Sequence, residues 1–299
     1  MEQFRVTNSV ALLPITVYNV GLALGPVFGA LSELYGRRIM YIASITGALV
    51  FTVVGASTAT FCGIIVMRFL ASLCGAPMIT VAMGTLNDVW DARSSRVGAI
   101  FVAFLTGITI WGTEIGSPIG ELILTQVHDW RWIFRSTAIL FSICSLAWLC
   151  PETYGTEIIR RKRRKDRLPG GREAGGTRRR PLNLCLAISQ PLHMTLVEPL
   201  VLSASLASSF SLSVVFFFYV GFPLTYAPTY HFSPYQTSLA YLSMFIGSLV
   251  AFFANLFTYK VLYHTTNVEA ERSGQLMNPE RLLYPVMAGG IFMPLGLFW

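Results

Sequence analysis

Four polar residues stand inside stretches of this chain that are otherwise apolar: Arg68, Glu114, Glu121 and Asn255. An ionisable group in such a setting is costly unless it faces a cavity or a partner, so each is a candidate for binding a solute or handling a proton. Glu114 lies deepest in its stretch and is the first candidate for a substrate or proton site; a hydrogen bond to a neighbouring helix is the structural alternative. Arg68 lies five residues beyond Gly63 and is a candidate for a solute pathway or for proton coupling. Its alternative is to snorkel towards an interface from the first turns of its helix. Glu121 lies nearer a helix end, and Asn255 is suited to a cross-helix hydrogen bond or a pathway.

A second cluster is Gly29, Glu33, Gly36, Arg37 and Arg38, within the run GPVFGALSELYGRR. The glycines permit close backbone approach and a sharp turn. Glu33 sits near a helix C-terminus, where the dipole disfavours a bare carboxylate, and Arg37 is its nearest partner in sequence. Such a turn can clamp neighbouring helices in one conformation and release them in another, or serve only to set topology.

These groups must be held by helices that cross a bilayer. The chain has 299 residues, of which 54% are hydrophobic and only 12% charged, and its mean hydropathy is +0.58. Backbone groups in lipid must be bonded internally, and the apolar stretches are too long for barrel strands. The expected spans are 10–31, 39–59, 61–84, 97–122, 133–150, 201–222, 238–262 and 284–299. Most exceed the roughly 20 residues needed to cross the hydrocarbon layer. The fold class is therefore an all-α membrane bundle.

Charge orients it. Placing 32–38 in the cytoplasm puts 85–96, 151–200 and 263–283 on the same side, and these loops carry nearly all the basic residues outside the spans. Eleven of the 22 Lys and Arg lie from Arg160 to Arg180, which accounts for the net charge of +7. That tract reads as a topology-setting loop, with anionic lipid as its alternative partner; no nucleic-acid-binding module accompanies it, and no nucleic-acid partner is expected. Residues 157–167 are a candidate interfacial helix within it. The expected organisation is a membrane unit over 1–150, a central loop over 151–200 and a second membrane unit over 201–299. With one span before the first cytoplasmic loop, Met1 falls outside, which suggests that a helix precedes residue 10 in a longer arrangement.

Within 97–122, Gly112, Gly116 and Gly120 recur every four residues and form a small-residue stripe suited to close helix packing. Pro118 opens the hydrogen-bond ladder and bends the helix. Glu114 and Glu121 share the face roughly opposite that stripe. The expected arrangement is a helix packed tightly through its glycines, offering two carboxylates on the other side. In the second unit, Ser203, Ser205, Ser208, Ser209, Ser211 and Ser213 precede an aromatic block, Phe216 to Tyr219, continued by Phe222, Tyr226 and Tyr230. The rings are suited to packing or to stacking on an organic solute or cation.

Several chemistries are not supported. His128 and Asp129 have no serine or cysteine nucleophile arranged with them; Asp129 reads as a cap, and Trp130 and Trp132 as interface anchors. His193, His231 and His264 lack metal-ligand spacing, and no two of the five cysteines have C-x-x-C spacing. There is no G-x-x-x-x-G-K phosphate loop, so uphill work would need an ion gradient. No enzyme activity, cofactor or metal is expected.

Gly29-x-x-x-Glu33-x-x-Gly36-Arg37-Arg38 resembles the signature between helices two and three of the major facilitator superfamily, and Ser32 to Arg38 is most similar to its fungal drug:proton antiporter branch. Arg68-Phe69-Leu70-Ala71 resembles the helix-four motif, with Ser72 where glycine is usual. Gly112 to Pro118 resembles part of the helix-five antiporter signature; Ser117 replaces its glycine before the proline, and Glu121 and Leu122 take its final glycine positions. Pro151-Glu152-Thr153 resembles the end of helix six. The resemblance implies a monomeric transporter, alternating its access and exporting small organic compounds, often cationic or amphipathic, in exchange for protons. It further implies a plasma-membrane location, a role for Arg68 in proton coupling, and a chain equivalent to about eight of twelve spans, without helix one and the C-terminal helices. A nutrient importer or facilitator of the same superfamily and a truncated, non-transporting membrane protein are the alternatives.

Overall fold

The computed structural model describes residues 10, 12–89, 96–146, 193–273 and 284–298. These residues are helical apart from short connections. The helices are α1 (Leu13–Ala23), α2 (Gly25–Tyr35), α3 (Arg37–Ser57), α4 (Phe61–Val89), α5 (Arg96–Val127), α6 (Arg131–Cys144), α7 (Pro199–Tyr230), α8 (Pro234–Leu239), α9 (Tyr241–Ser273) and α10 (Tyr284–Phe298). Among the described residues, six stretches are long and apolar enough to cross a membrane. The outer surface is correspondingly apolar: Phe217 is 72% exposed and Phe257 69%, as a surface meeting lipid rather than water requires. The protein is a multi-pass, all-α membrane bundle. The expected spans 133–150 and 284–299 appear as the 14-residue α6 and the 15-residue α10. The basic tract from Arg160 to Arg180, the proposed helix over 157–167 and Pro151 to Thr153 lie outside the described residues.

The first expected span, 10–31, is two helices rather than one. Leu24 breaks the register, and Pro26, in the first turn of α2, has no amide hydrogen to return to α1. Helix α2 then runs on to Tyr35, so Glu33 is in its last turn. The turn into α3 is the single residue Gly36, with φ 95°, a conformation that glycine adopts without a Cβ clash.

Helices α1, α2 and α3 all pack on α4, and α6 packs on α3. Small residues set these approaches. A Cβ on Gly25 would come within 2.8 Å of the Thr80 methyl, and one on Gly47 within 2.6 Å of the Cys74 sulfur. The Ser44 hydroxyl donates to the Cys74 carbonyl, which ties α3 to α4 at the same level. Helix α5 behaves differently. Its main partners are α9 and α8, beyond the central loop, so it bridges the two parts of the chain. A capping box between Ser233 and Gln236 starts α8 and fixes the chain's return towards α5.

Candidate functional site

Glu114 is 2% exposed on α5. Ser248 on α9 donates a hydrogen bond to its Oε2 at 2.7 Å, while the same hydroxyl also lies 2.9 Å from the Phe245 carbonyl. The carboxyl is therefore enclosed where α5 meets α9. Pro118 has no amide hydrogen to offer the backbone carbonyl four residues earlier, which is that of Glu114 itself. Side-chain and main-chain acceptors of one residue thus sit together at this crossing.

Aromatic rings wall the crossing on one side. Trp111, one turn before Glu114, has its ring centroid 5.2 Å from Phe252 and 6.3 Å from Phe245. Its indole Nε1 is buried and has no hydrogen-bond partner among the described residues. A buried donor without an acceptor is a cost that a bound polar group would remove. Thr113 faces α7, where the Tyr219 hydroxyl donates to its Oγ1 at 3.1 Å.

The faces of α5 are used in the opposite sense to the sequence expectation. The carboxylate face is the packed one, because α9 supplies a serine at the right level. A Cβ at Gly112, Gly116 or Gly120 would meet nothing within 4 Å, so the close packing expected of that stripe is absent among the described residues. Glu121 is half-buried two turns further along α5, and Asn255 is exposed two turns beyond Ser248 on α9.

Arg68 occupies a separate place. It lines a cavity of about 50 Å³ with Tyr18, Thr52, Phe134 and Thr137, drawn from α1, α3 and α6. Its guanidinium carbon lies 4.4 Å from the centroid of Phe134 and 5.9 Å from that of Tyr18. Stacking on π-faces keeps a cation inside an apolar bundle at lower cost than lipid would. Among the described residues no carboxylate lies within ion-pair distance of it. Ser72, one turn along, is fully buried.

The charged turn is built around Arg37, which is 5% exposed. Its Nε donates to Asp88 Oδ2 on α4 at 3.0 Å, and its Nη1 donates to the Ser32 hydroxyl. This corrects the expectation that Glu33 is its partner: Glu33 is exposed, and the ion pair reaches across to α4. Gly84 makes this possible, because a Cβ there would come within 2.7 Å of the guanidinium. Tyr41 and Thr85 share a hydrogen bond beside it at 3.0 Å. Gly29 is not a close-approach point, since a Cβ there would meet nothing within 4 Å. Sequence reasoning missed Asp88 and Gly84. Their four-residue spacing at the end of the third span, facing an arginine-rich turn, was the available signal.

Asp129 Oδ1 accepts the amide of Arg131, the first residue of α6, at 3.1 Å, while Trp130, at the cap position, makes no side-chain cap bond. Trp130 and Trp132 stack with Arg131 and Arg135, at 5.6 and 5.3 Å. Ser203, Ser211 and Ser213 donate to carbonyls of their own helix. Among the described residues no group of His, Cys, Asp and Glu could hold a metal ion.

The model of the Major Facilitator Superfamily matches residues 1–299. The chain belongs to this superfamily. Its relatives within the superfamily include fungal transporters. It is 28% identical over 314 residues to the Cycloheximide resistance protein of Candida maltosa, covering all of this chain and 56% of that one. It is 30% identical over 311 residues to the MFS-type transporter phm3 of Pyrenochaetopsis sp, covering all of this chain and 62% of that one. Against the Probable drug/proton antiporter YHK8 of Saccharomyces cerevisiae it is 27% identical, covering all of this chain and 58% of that one. The chain thus spans somewhat more than half the length of these superfamily relatives.

Proposed function

We propose that this chain carries part of a proton-coupled exporter of small organic compounds in the plasma membrane, acting as a monomer by alternating access. The observation that carries the reading is Glu114: a carboxyl enclosed between α5 and α9, held by one hydroxyl, beside aromatic rings and an unsatisfied indole N–H. A carboxyl at a helix crossing can bind a proton or a cationic group, but not both at full strength, which is what exchange requires. In this reading the units over 1–150 and 201–299 rock against each other about the α5–α9 contact, and 151–200 links them. Arg68, Glu121 and Asn255 are further candidates for the solute or proton path. Gly29, Glu33, Gly36, Arg37 and Arg38 form the gate, with the Arg37–Asp88 pair as its clasp. The names of the superfamily relatives, resistance protein and drug/proton antiporter among them, support export.

The test is efflux from vesicles holding the full chain, driven by an imposed pH gradient. Glu114→Gln keeps the shape and the Ser248 contact but removes the titration. Loss of pH-gradient dependence is expected; unchanged efflux and pH profile would overturn the role of Glu114. A second reading, a nutrient importer or facilitator, is favoured by the departures from the antiporter signature at Ser117, Glu121 and Leu122. Net uptake across a panel of sugars and other small solutes, without efflux, would select it.

A further inference from the structure

Helix α7 has a gap in its own ladder, and another helix fills it. Pro223 lies inside α7. It has no amide hydrogen, so the carbonyl four residues earlier, on Tyr219, loses its helical donor. Inside a bilayer no water replaces that donor, and an acceptor left bare is costly. The hydroxyl of Tyr241, the first residue of α9, donates to the Tyr219 carbonyl at 2.7 Å. Tyr241 is 7% exposed. Its ring packs on those of Tyr219 and Phe222, at centroid distances of 5.2 and 5.6 Å. The phenol is thus gripped by the residues that flank the gap, with its hydroxyl aimed into it.

The arrangement continues to the site. The Tyr219 hydroxyl donates to Thr113 on α5, next to Glu114, and Ser248 on α9 donates to Glu114 itself. The bonds therefore run from α9 to α7, from α7 to α5, and again from α9 to α5. A tyrosine whose carbonyl is held by one helix and whose hydroxyl reaches another fixes its own helix against both.

We infer that Tyr241 stands in for the amide that Pro223 removes, and that it is a positioning residue: by holding α7 at the Tyr219 carbonyl it sets the Tyr219 hydroxyl against Thr113 of α5, next to Glu114. The stand-in is independent of what the protein transports. Only its consequence for solute movement rests on the proposed exporter reading.

The experiment is a double-mutant cycle on the full chain in detergent, reading the midpoint of thermal unfolding for the parent, Tyr241→Phe, Pro223→Ala and the pair. Tyr241→Phe leaves the ring and exposes the gap, and a fall of about 2 to 6 °C is expected. Pro223→Ala restores the amide, so in that background Tyr241→Phe is expected to change the midpoint by less than about 1 °C. Equal losses in both backgrounds would overturn the stand-in. If Tyr241→Phe alone yields no folded protein, adding Pro223→Ala is expected to restore it, and failure to do so would equally overturn it. Efflux by the same variants separates the two claims: Tyr241→Phe is expected to lower efflux and Pro223→Ala to rescue it, and unchanged efflux in Tyr241→Phe would overturn the positioning role. A rescued cycle with no pH-gradient-driven efflux from the parent would remove the exporter reading and leave the stand-in. An additive cycle would remove the stand-in whatever efflux shows.

Discussion

The buried hydroxyl of Ser72 on α4 fills the space that a side chain on Gly21 of α1 would need. Ser72 donates to the Phe69 carbonyl of its own helix at 2.8 Å, so its polarity is met locally and its bulk is met by the missing Cβ opposite. The residue that departs from the superfamily's glycine is thus matched by a glycine on the neighbouring helix.

This pairing gives a reciprocal test. Gly21→Ala is expected to destabilise by about 1–3 kcal/mol, as overpacking of a tight contact does. Ser72→Gly in the same chain is expected to recover most of that loss. Thermal unfolding of both single variants and the pair measures it, and a pair no better than Gly21→Ala alone would contradict the contact.

Glycines elsewhere should divide into two kinds. Gly36→Ala forces a Cβ into a backbone with φ 95° and ψ 151°, a region open essentially to glycine alone, and is expected to cost about 1–3 kcal/mol. Gly112→Ala and Gly116→Ala meet open space within a helix and are expected to be neutral or stabilising by up to about 1 kcal/mol. Denaturation midpoints compared across the three variants check the contrast.

The charged turn predicts a ranking. Asp88→Asn removes the charge that faces buried Arg37, and a loss of about 1–3 kcal/mol is expected. Glu33→Gln alters an exposed side chain and is expected to stay within about 0.5 kcal/mol. An equal or greater loss at Glu33, measured by unfolding in detergent, would return the ion pair to the partner that is nearer in sequence.

Arg68 tests geometry apart from charge. Arg68→Lys keeps the cation but loses the flat guanidinium that lies over Phe134. A loss of about 0.5–2 kcal/mol is expected, and it should largely vanish in a Phe134→Leu background. Persistence of the full loss there would place the value of Arg68 somewhere other than this ring.

Much of the fold could be read directly. Apolar run length announced the spans, because lipid leaves a chain few alternatives to helices. Gly36 beside two arginines announced the sharp turn, and Asp129 announced the start of α6. The break at Leu24 is marked in the sequence only by Pro26, because the apolar run continues unbroken across it. Glu114 stood out because a carboxylate in an apolar helix has few inexpensive settings.

The amino-acid order alone determined which helices exist, which residues inside them are costly, and where a backbone donor is missing. Tertiary structure alone decided who meets those costs. Arg37 turns to Asp88, 51 residues away, because Gly84 leaves room. Glu114 faces Ser248, 134 residues away, so the carboxylate side of α5 packs and its glycine side stays open. Tyr241 answers Pro223. Each need is local and therefore visible in sequence, whereas each partner is set by the level and rotation at which two helices cross, which no single helix encodes.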